Sequence, residues 1–190
     1  NQAPDLVIAQ GDTTTVLGSA LACFHRNIPF AHVEAGLRSD NRLSPFPEEV
    51  NRVLVAKMAD LHFAPTERAK ANLIREGVLE NSVTVSGNTG IDACLSVASQ
   101  QSQEGNKFKL KYPGKKLLLV TVHRRENFGE GLQHICDSLI AIQDRYQDLQ
   151  IIVPVHPNPQ VKEVVTARLG TKEGISLIPP LNYGEVVGLM

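Results

Sequence analysis

The sequence predicts an α/β protein with two doubly wound parallel sheets, both incomplete in this chain. Apolar runs of strand length alternate with amphipathic stretches of helix length, as in βαβ units. A polar, lysine-rich segment at 100–114 interrupts this alternation, which restarts at Lys116. We therefore expect the second half of one domain at 1–88, a hinge helix and connector at 89–115, and the first half of another domain at 116–190.

The elements of the first half follow from the apolar runs and the residues that flank them. Strands are predicted at 6–9, 30–33, 61–64 and 83–85. Helices are predicted at 13–26, 47–58, 66–75 and 91–99. Thr13 can cap the first helix, and Pro47 suits the first turn of the second.

The second half repeats the pattern after the connector. Strands are predicted at 116–122, 149–154 and 175–178, and helices at 130–146, at 160–169 and from about 182 onward. The chain starts without methionine and stops within this last helix, so we expect an internal piece of a longer protein.

Composition and charge narrow the classes of partner. The net charge of −1 gives no electrostatic basis for binding nucleic acid or an anionic membrane. The longest apolar run, 117–122, is far too short to cross a bilayer. Cys23, Cys94 and Cys136 are widely spaced, which favours free thiols and a reducing cytoplasmic location over a disulfide framework or a zinc site.

Reactive side chains follow the first two predicted strands and open the next helix. Ligands of open parallel sheets bind beyond the carboxyl ends of the strands, which is where Asp12 and Glu34 are expected. Glu48 stands in the first turn of the helix from 47. Each has a structural alternative: Asp12 as a helix cap, Glu34 as the partner of Arg38, and Glu48 as an i,i+4 partner of Arg52.

Basic side chains follow the strands of the second half. His123, Arg124 and Arg125 come after the strand at 116–122, before the glycine-rich start of a helix. Such a cluster suits phosphate binding, and the histidine could neutralise an anionic leaving group. The alternative is a solvated loop. His156 follows the next strand in the same way.

Several common cofactor and catalytic motifs are absent. The sequence has no GxGxxG or GxxxxGK[ST] loop, no HExxH metal motif and no GxSxG elbow. The absence of these motifs is consistent with a reaction that needs neither a metal ion nor a nicotinamide cofactor.

Six segments together resemble the bacterial non-hydrolysing UDP-N-acetylglucosamine 2-epimerases. They cover essentially the whole chain, in order and at family spacing: 11–15 (GDTTT), 32–38 (HVEAGLR), 44–52 (SPFPEEVNR), 86–89 (SGNT), 123–126 (HRRE) and 154–159 (PVHPNP). The resemblance implies a glycosyltransferase-B-like fold of two Rossmann-like domains.

The resemblance also implies a reaction. Enzymes of this family interconvert UDP-GlcNAc and UDP-ManNAc by anti elimination of UDP through 2-acetamidoglucal, followed by re-addition, and supply UDP-ManNAc for bacterial cell-surface polysaccharides. Carried over by position, Asp12, Glu34 and Glu48 match the catalytic carboxylates, and His123 matches a histidine at the nucleotide sugar. Which carboxylate takes the proton and which returns it stays open.

Further contacts and partners are implied in the same way. Arg52 and Arg124 match substrate-binding positions, while Arg124 and His156 resemble residues of a second site that holds UDP-GlcNAc as an activator. Family members are commonly homodimers. The family's N-terminal glycine loop and its later Ser-Gly-Gly segment are missing here. The alternatives are a UDP-sugar glycosyltransferase of the same fold and a non-catalytic UDP-sugar-binding fragment.

Overall fold

The structure, a computed structural model, describes residues 4–100, 104–123 and 127–190. Strands and helices alternate along these residues, and every strand pair is parallel. The chain divides into two compact units, 1–90 and 91–190. The predicted α/β class with parallel sheets is therefore confirmed, whereas the finer domain limits stay a prediction.

The first unit contains a four-stranded sheet in the order β1-β2-β3-β4. Its strands are β1 (Val7–Gln10), β2 (Phe30–Val33), β3 (Leu61–Ala64) and β4 (Val83–Val85). Its helices are α1 (Thr14–Arg26), α2 (Glu48–Met58) and α3 (Glu67–Arg75), followed by a short 3-10 turn (Glu80–Ser82) and by α4 (Thr89–Gln100), which continues into the second unit.

The spacing of apolar residues explains how α1 packs. Val16, Ala20 and Cys23 recur at intervals of four and three, so they lie on one helix face and are buried. They form a core cluster with Phe30 of β2 and Val55 of α2. This packing holds α1 against β2 and α2. Glu34 directly follows β2, and α2 carries Glu48 and Arg52.

The second unit contains a three-stranded sheet in the order β5-β6-β7. Its strands are β5 (Lys116–Leu119), β6 (Leu149–Pro154) and β7 (Ile175–Ile178). Its helices are α5 (Glu104–Lys111), α6 (Glu130–Arg145), α7 (Pro159–Leu169) and α8 (Tyr183–Leu189). One core cluster joins α6, α7 and the sheet, and it includes the buried Ile151 and Val153 of β6.

Two expectations for the second half are corrected by the structure. The connector at 100–114 contains helix α5, which packs against α8. The strand predicted at 116–122 ends at Leu119, so His123 lies four residues beyond it. The apolar run continues past Leu119, but the regular pairing of β5 with β6 stops there.

The structure locates the three cysteines that were expected to be free thiols. Cys23 and Cys136 are buried free thiols, and Cys94 is a half-buried one. Burial raises the pKa of Cys136.

Among the helices in the described part of the chain, none combines the length and apolarity that crossing a bilayer would require.

Candidate functional site

Three carboxylates lie at the same edge of the first unit. Asp12 lies two residues after β1, Glu34 directly follows β2, and Glu48 is the first residue of α2. Parallel neighbours end at the same edge of a sheet, so Asp12 and Glu34 lie side by side there. All three side chains are half-buried.

Asp12 faces Arg52 and does not cap α1. The cap is Thr13, whose hydroxyl accepts a hydrogen bond from the backbone N–H of Val16 at 3.4 Å. The alternative of Asp12 as the helix cap is therefore wrong. Its Oδ2 lies 3.4 Å from Nη1 of Arg52, so the carboxylate is directed at the side chain of α2 that is itself a candidate site residue.

The electrostatic surroundings of Asp12 tie the three carboxylates together. Partial burial raises the pKa of Asp12, and Arg52 opposes this rise. The negative charges of Glu34 and Glu48 raise it further. Both glutamates therefore lie within electrostatic reach of Asp12, and the site is a carboxylate cluster beside one guanidinium group.

Glu34 is held in an unusual backbone conformation. Its φ is +67°, in the left-handed region that residues with a side chain seldom adopt. Gln10 Nε2 donates to its carboxylate at 3.3 Å and also to Thr89 Oγ1 at 2.9 Å. A strained residue held this way at a strand end is a feature of functional sites.

The structural alternative for Glu34, an ion pair with Arg38, is wrong. Arg38 Nε and Nη2 donate instead to the two carboxylate oxygens of Glu76, at 2.8 and 2.7 Å. The Arg38 guanidinium group holds the pKa of Glu76 below its ordinary value, despite partial burial. This pair fastens the loop after Glu34 to the end of α3 and leaves Glu34 to the site.

The structural alternative for Glu48, an i,i+4 ion pair with Arg52, is also wrong. Arg52 Nε donates to Glu49 Oε2 at 2.7 Å, and both of these side chains are buried. Burial alone would raise the pKa of Glu49, but hydrogen bonds from Arg52 and from the N–H groups of Ser39 and Asp40 hold it below its ordinary value. Within the described ranges, no ion pair involves Glu48.

The second unit brings two predicted histidines together. The rings of His123 and His156 stack with centroids 5.8 Å apart and planes at 18°. His156 Nδ1 accepts a hydrogen bond from the backbone N–H of Asn158 at 3.1 Å, so a neutral ring carries its proton on Nε2. Both side chains are exposed beyond the sheet edge formed by β5 and β6. Arg124 lies outside the described residues.

Sequence reasoning missed several residues that build the site. Gln10, Glu49 and Asn51 each contact one of the predicted residues. His32 stood inside a quoted motif but was given no role. The sequence signal was weak in each case, because polar residues at a strand end or a helix start have common structural uses.

In the described residues, no group of three or more His, Cys, Asp or Glu side chains is arranged to hold a metal ion. The expectation that the reaction uses no metal ion stays a prediction.

Fold and site together define a Rossmann-like α/β protein with reactive side chains at the carboxyl ends of parallel strands. The sequence profile described as UDP-N-acetylglucosamine 2-epimerase matches residues 1–190. The chain belongs to the UDP-N-acetylglucosamine 2-epimerase family. The resemblance read from the six sequence segments is confirmed by this match.

Relatives and solved structures extend the comparison. UDP-N-acetylglucosamine 2-epimerase of Escherichia coli K12 is 45% identical over 194 residues, which cover 98% of this chain and 52% of that protein. The UDP-GlcNAc 2-epimerase of Neisseria meningitidis, solved bound to UDP-GlcNAc, is 38% identical with a TM-score of 0.90, covering 98% of this chain and 52% of that one. S. aureus MnaA, solved with UDP, is 46% identical with a TM-score of 0.86, covering 97% and 49%.

These matches confirm the fold class expected from the resemblance, glycosyltransferase-B-like with Rossmann-like units. The chain spans about half the length of the curated relatives it matches.

Proposed function

We propose that this chain provides part of the active site of a non-hydrolysing UDP-N-acetylglucosamine 2-epimerase, which interconverts UDP-GlcNAc and UDP-ManNAc. Family membership and the UDP-GlcNAc bound by the Neisseria meningitidis relative support the substrate. The observation that carries the proposal is the cluster of Asp12, Glu34 and Glu48 beside Arg52. A cluster of proton-transfer groups is what inversion at a carbon bearing a hydrogen requires.

The chemistry explains why several carboxylates are needed. The hydrogen on C2 of the sugar is not strongly acidic, so we propose that its removal is coupled to departure of UDP from C1. The C1–O bond and the C2–H bond break, a C1–C2 double bond forms, and 2-acetamidoglucal and UDP result. UDP then adds back to C1, and a proton is delivered to the opposite face of C2.

We assign these proton transfers to Asp12, Glu34 and Glu48. Removal on one face and delivery on the other need groups on both sides of C2, and a positioned acid or base contributes about 10²–10⁴ in rate. The raised pKa makes Asp12 a stronger base than an ordinary aspartate and lets it hold a proton more readily. Arg52 would balance part of the negative charge and contact the substrate.

We further propose that the basic residues of the second unit serve the nucleotide. His123 would assist the departing UDP, Arg124 would contact its phosphates, and Arg124 with His156 would take part in a second, activating UDP-GlcNAc site. The stacking of His123 on His156 supports a joint role for these two residues. The assignment of Arg124 rests on the sequence resemblance.

The proposal extends to the protein as a whole. We expect a cytoplasmic homodimer without metal or nicotinamide cofactor, whose UDP-ManNAc is used for cell-surface polysaccharide. A glycosyltransferase of the same fold is the main alternative, but sugar transfer to an acceptor would not require proton exchange at C2.

Solvent exchange tests the reaction. The full-length protein, incubated with UDP-GlcNAc in D₂O, should place deuterium at C2 of both recovered substrate and product, detected by NMR and mass spectrometry. A glycosyltransferase would require an added acceptor, and a binding module would bind without turnover. Epimerisation without deuterium at C2 would contradict the elimination mechanism.

A further inference from the structure

Two buried side chains hold the turn that carries Asp12. His32 is fully buried on β2, and Asn51 is 5% exposed on α2. His32 Nε2 lies 2.7 Å from the carbonyl oxygen of Gly11, and Asn51 Nδ2 donates to the carbonyl oxygen of Asp12 at 2.9 Å. Two successive carbonyl groups of the turn therefore each receive a hydrogen bond from a different element.

The hydrogen-bond partner fixes the form of His32. A carbonyl oxygen only accepts, so Nε2 carries the proton, and Nδ1 has no partner among the described residues. Burial lowers the pKa of His32, which keeps the ring neutral. His32 therefore acts as a fixed, uncharged donor toward the turn.

The turn itself depends on these contacts for its shape. Gly11 has a φ of +85°, and its N–H donates to Val33 O at 3.0 Å. Elements β2 and α2 thus pin the turn at three points, and the same two elements lead to Glu34 and carry Glu48 and Arg52. The same two elements therefore position both Asp12 and its neighbours in the candidate site.

We infer that His32 and Asn51 are positioning residues for the Asp12 carboxylate. They act through the backbone of the turn and do not touch the substrate. The inference rests on the proposed function, in which Asp12 takes part in proton transfer at C2. A displacement of about 1 Å at a catalytic group can cost roughly 100-fold in rate.

The molecule provides a matched control in His62. This histidine lies opposite His32 on the neighbouring strand and is also buried. Its Nε2 lies 3.1 Å from the carbonyl oxygen of Ala56 in α2. His62 is therefore, like His32, a buried histidine bonded to a backbone carbonyl group, but its acceptor is not in the turn of Asp12.

The experiment compares four variants in the full-length protein, at a temperature where each is folded by circular dichroism. His32→Gln places an amide N–H group near the position of Nε2. In His32→Asn the side chain is shorter, so its amide N–H group cannot reach the carbonyl oxygen of Gly11. Asn51→Ala removes the second donor, and His62→Asn is the control. Steady-state kcat and KM, UDP affinity and thermal stability are measured for each.

We expect His32→Asn and Asn51→Ala to lower kcat about 10- to 100-fold, with KM and UDP affinity within about threefold. His32→Gln should retain kcat within about fivefold of wild type. His62→Asn should lose stability but keep kcat within about twofold. If His32→Asn does not fold, the kcat of Asn51→Ala is compared with that of His62→Asn instead.

Equal losses of kcat in the His32 and His62 variants, or no recovery in His32→Gln, would overturn the inference. Failure of the proposed function has a different signature, which is a wild-type protein without epimerisation. In that case crystal structures of His32→Asn and His62→Asn decide, since only the former should displace the Asp12 carboxylate. An undisplaced carboxylate would reject the positioning role.

Discussion

Neighbouring residues in the sequence serve different purposes at the start of α2. Glu49 is buried and bonded to Arg52 and to two backbone N–H groups, which stabilises both the helix start and the loop before it. Glu48 is half-buried, and its negative charge acts on Asp12. Adjacent glutamates on a helix point about 100° apart, so one reaches the core and the other the site.

This difference predicts opposite effects of the same substitution. Glu49→Gln should lower the unfolding free energy by roughly 3 kcal/mol, because it removes one partner of a buried ion pair. Glu48→Gln should leave stability within about 0.5 kcal/mol and lower turnover by about 10²–10⁴-fold with UDP affinity nearly unchanged. Urea unfolding, kinetics and UDP titration of both variants measure this. Collapse of UDP binding in Glu48→Gln would make Glu48 a binding residue instead.

Asp12→Asn should abolish turnover while raising stability near neutral pH. The raised pKa of Asp12 means that the folded state disfavours its charge, so the wild type loses stability as pH rises through the folded-state pKa. The stability advantage of the variant should therefore be largest at neutral pH and disappear below pH 3.8, the ordinary pKa. Urea unfolding between pH 3 and 8 measures it, and a variant less stable than wild type at pH 7 would contradict this prediction.

At the scale of elements, helix α3 fixes the loop that follows Glu34. Asn72 Nδ2 donates to Gly36 O at 3.0 Å, and Arg38 joins Glu76 just beyond the helix. Gly36 has a φ of +86°, and a Cβ there would lie 2.3 Å from Ala69 O. The close contact of backbone with backbone is possible only because this residue is glycine.

Gly36→Ala should therefore destabilise the first unit by roughly 2–4 kcal/mol, from left-handed strain and overpacking together. Gly18→Ala is the control, since Gly18 is exposed within α1 with nothing within 4 Å of its Cβ position. That change should stabilise the helix by about 0.5–1 kcal/mol. Thermal and urea unfolding compare the two variants. A Gly36→Ala protein as stable as wild type would show that α3 can move away from the loop.

The elements themselves could be predicted from the sequence where apolar runs are bounded by turn residues. Strands β2, β3, β4, β6 and β7 have the predicted bounds. Helix α5 was hidden because its residues are mostly polar and its Leu110 is 79% exposed, so no apolar periodicity marks it. The partners of Arg38 and Arg52 could not be predicted, because local spacing favoured Glu34 and Glu48 while the fold supplied Glu76 and Glu49.

At the scale of the molecule, each unit places two candidate residues beyond the carboxyl ends of parallel strands: Asp12 and Glu34 in the first unit, His123 and His156 in the second. This placement could be predicted from the order of strands and helices, because the position of ligand sites at the carboxyl ends of parallel strands depends on topology and not on individual side chains. The turn-holding contacts of His32 and Asn51 depend on side chains that meet only after folding. The sequence thus indicated where the candidate residues lie, whereas the hydrogen bonds that support them could be seen only in the structure.

The same buried histidines predict how stability depends on pH. His32 and His62 are paired across β2 and β3, and burial lowers the pKa of each. The unfolded chain, with an ordinary histidine pKa of 6.5, then binds more protons than the folded one. Stability is therefore fully present above pH 6.5 and falls as pH decreases, with a slope that approaches about 1.4 kcal/mol per pH unit for each histidine.

Urea unfolding of the full-length protein at pH 7.5, 6.5 and 5.5 measures this dependence. His62→Asn should reduce the loss between pH 6.5 and 5.5, because the variant lacks one of the two buried rings. Glu49 and Glu76, whose pKa values are lowered, act only below their ordinary 4.5, so their contribution falls in a separate window. A flat stability profile from pH 7.5 to 5.5 would mean that the two rings become protonated without disturbing the sheet, and that His32 is not a fixed neutral donor.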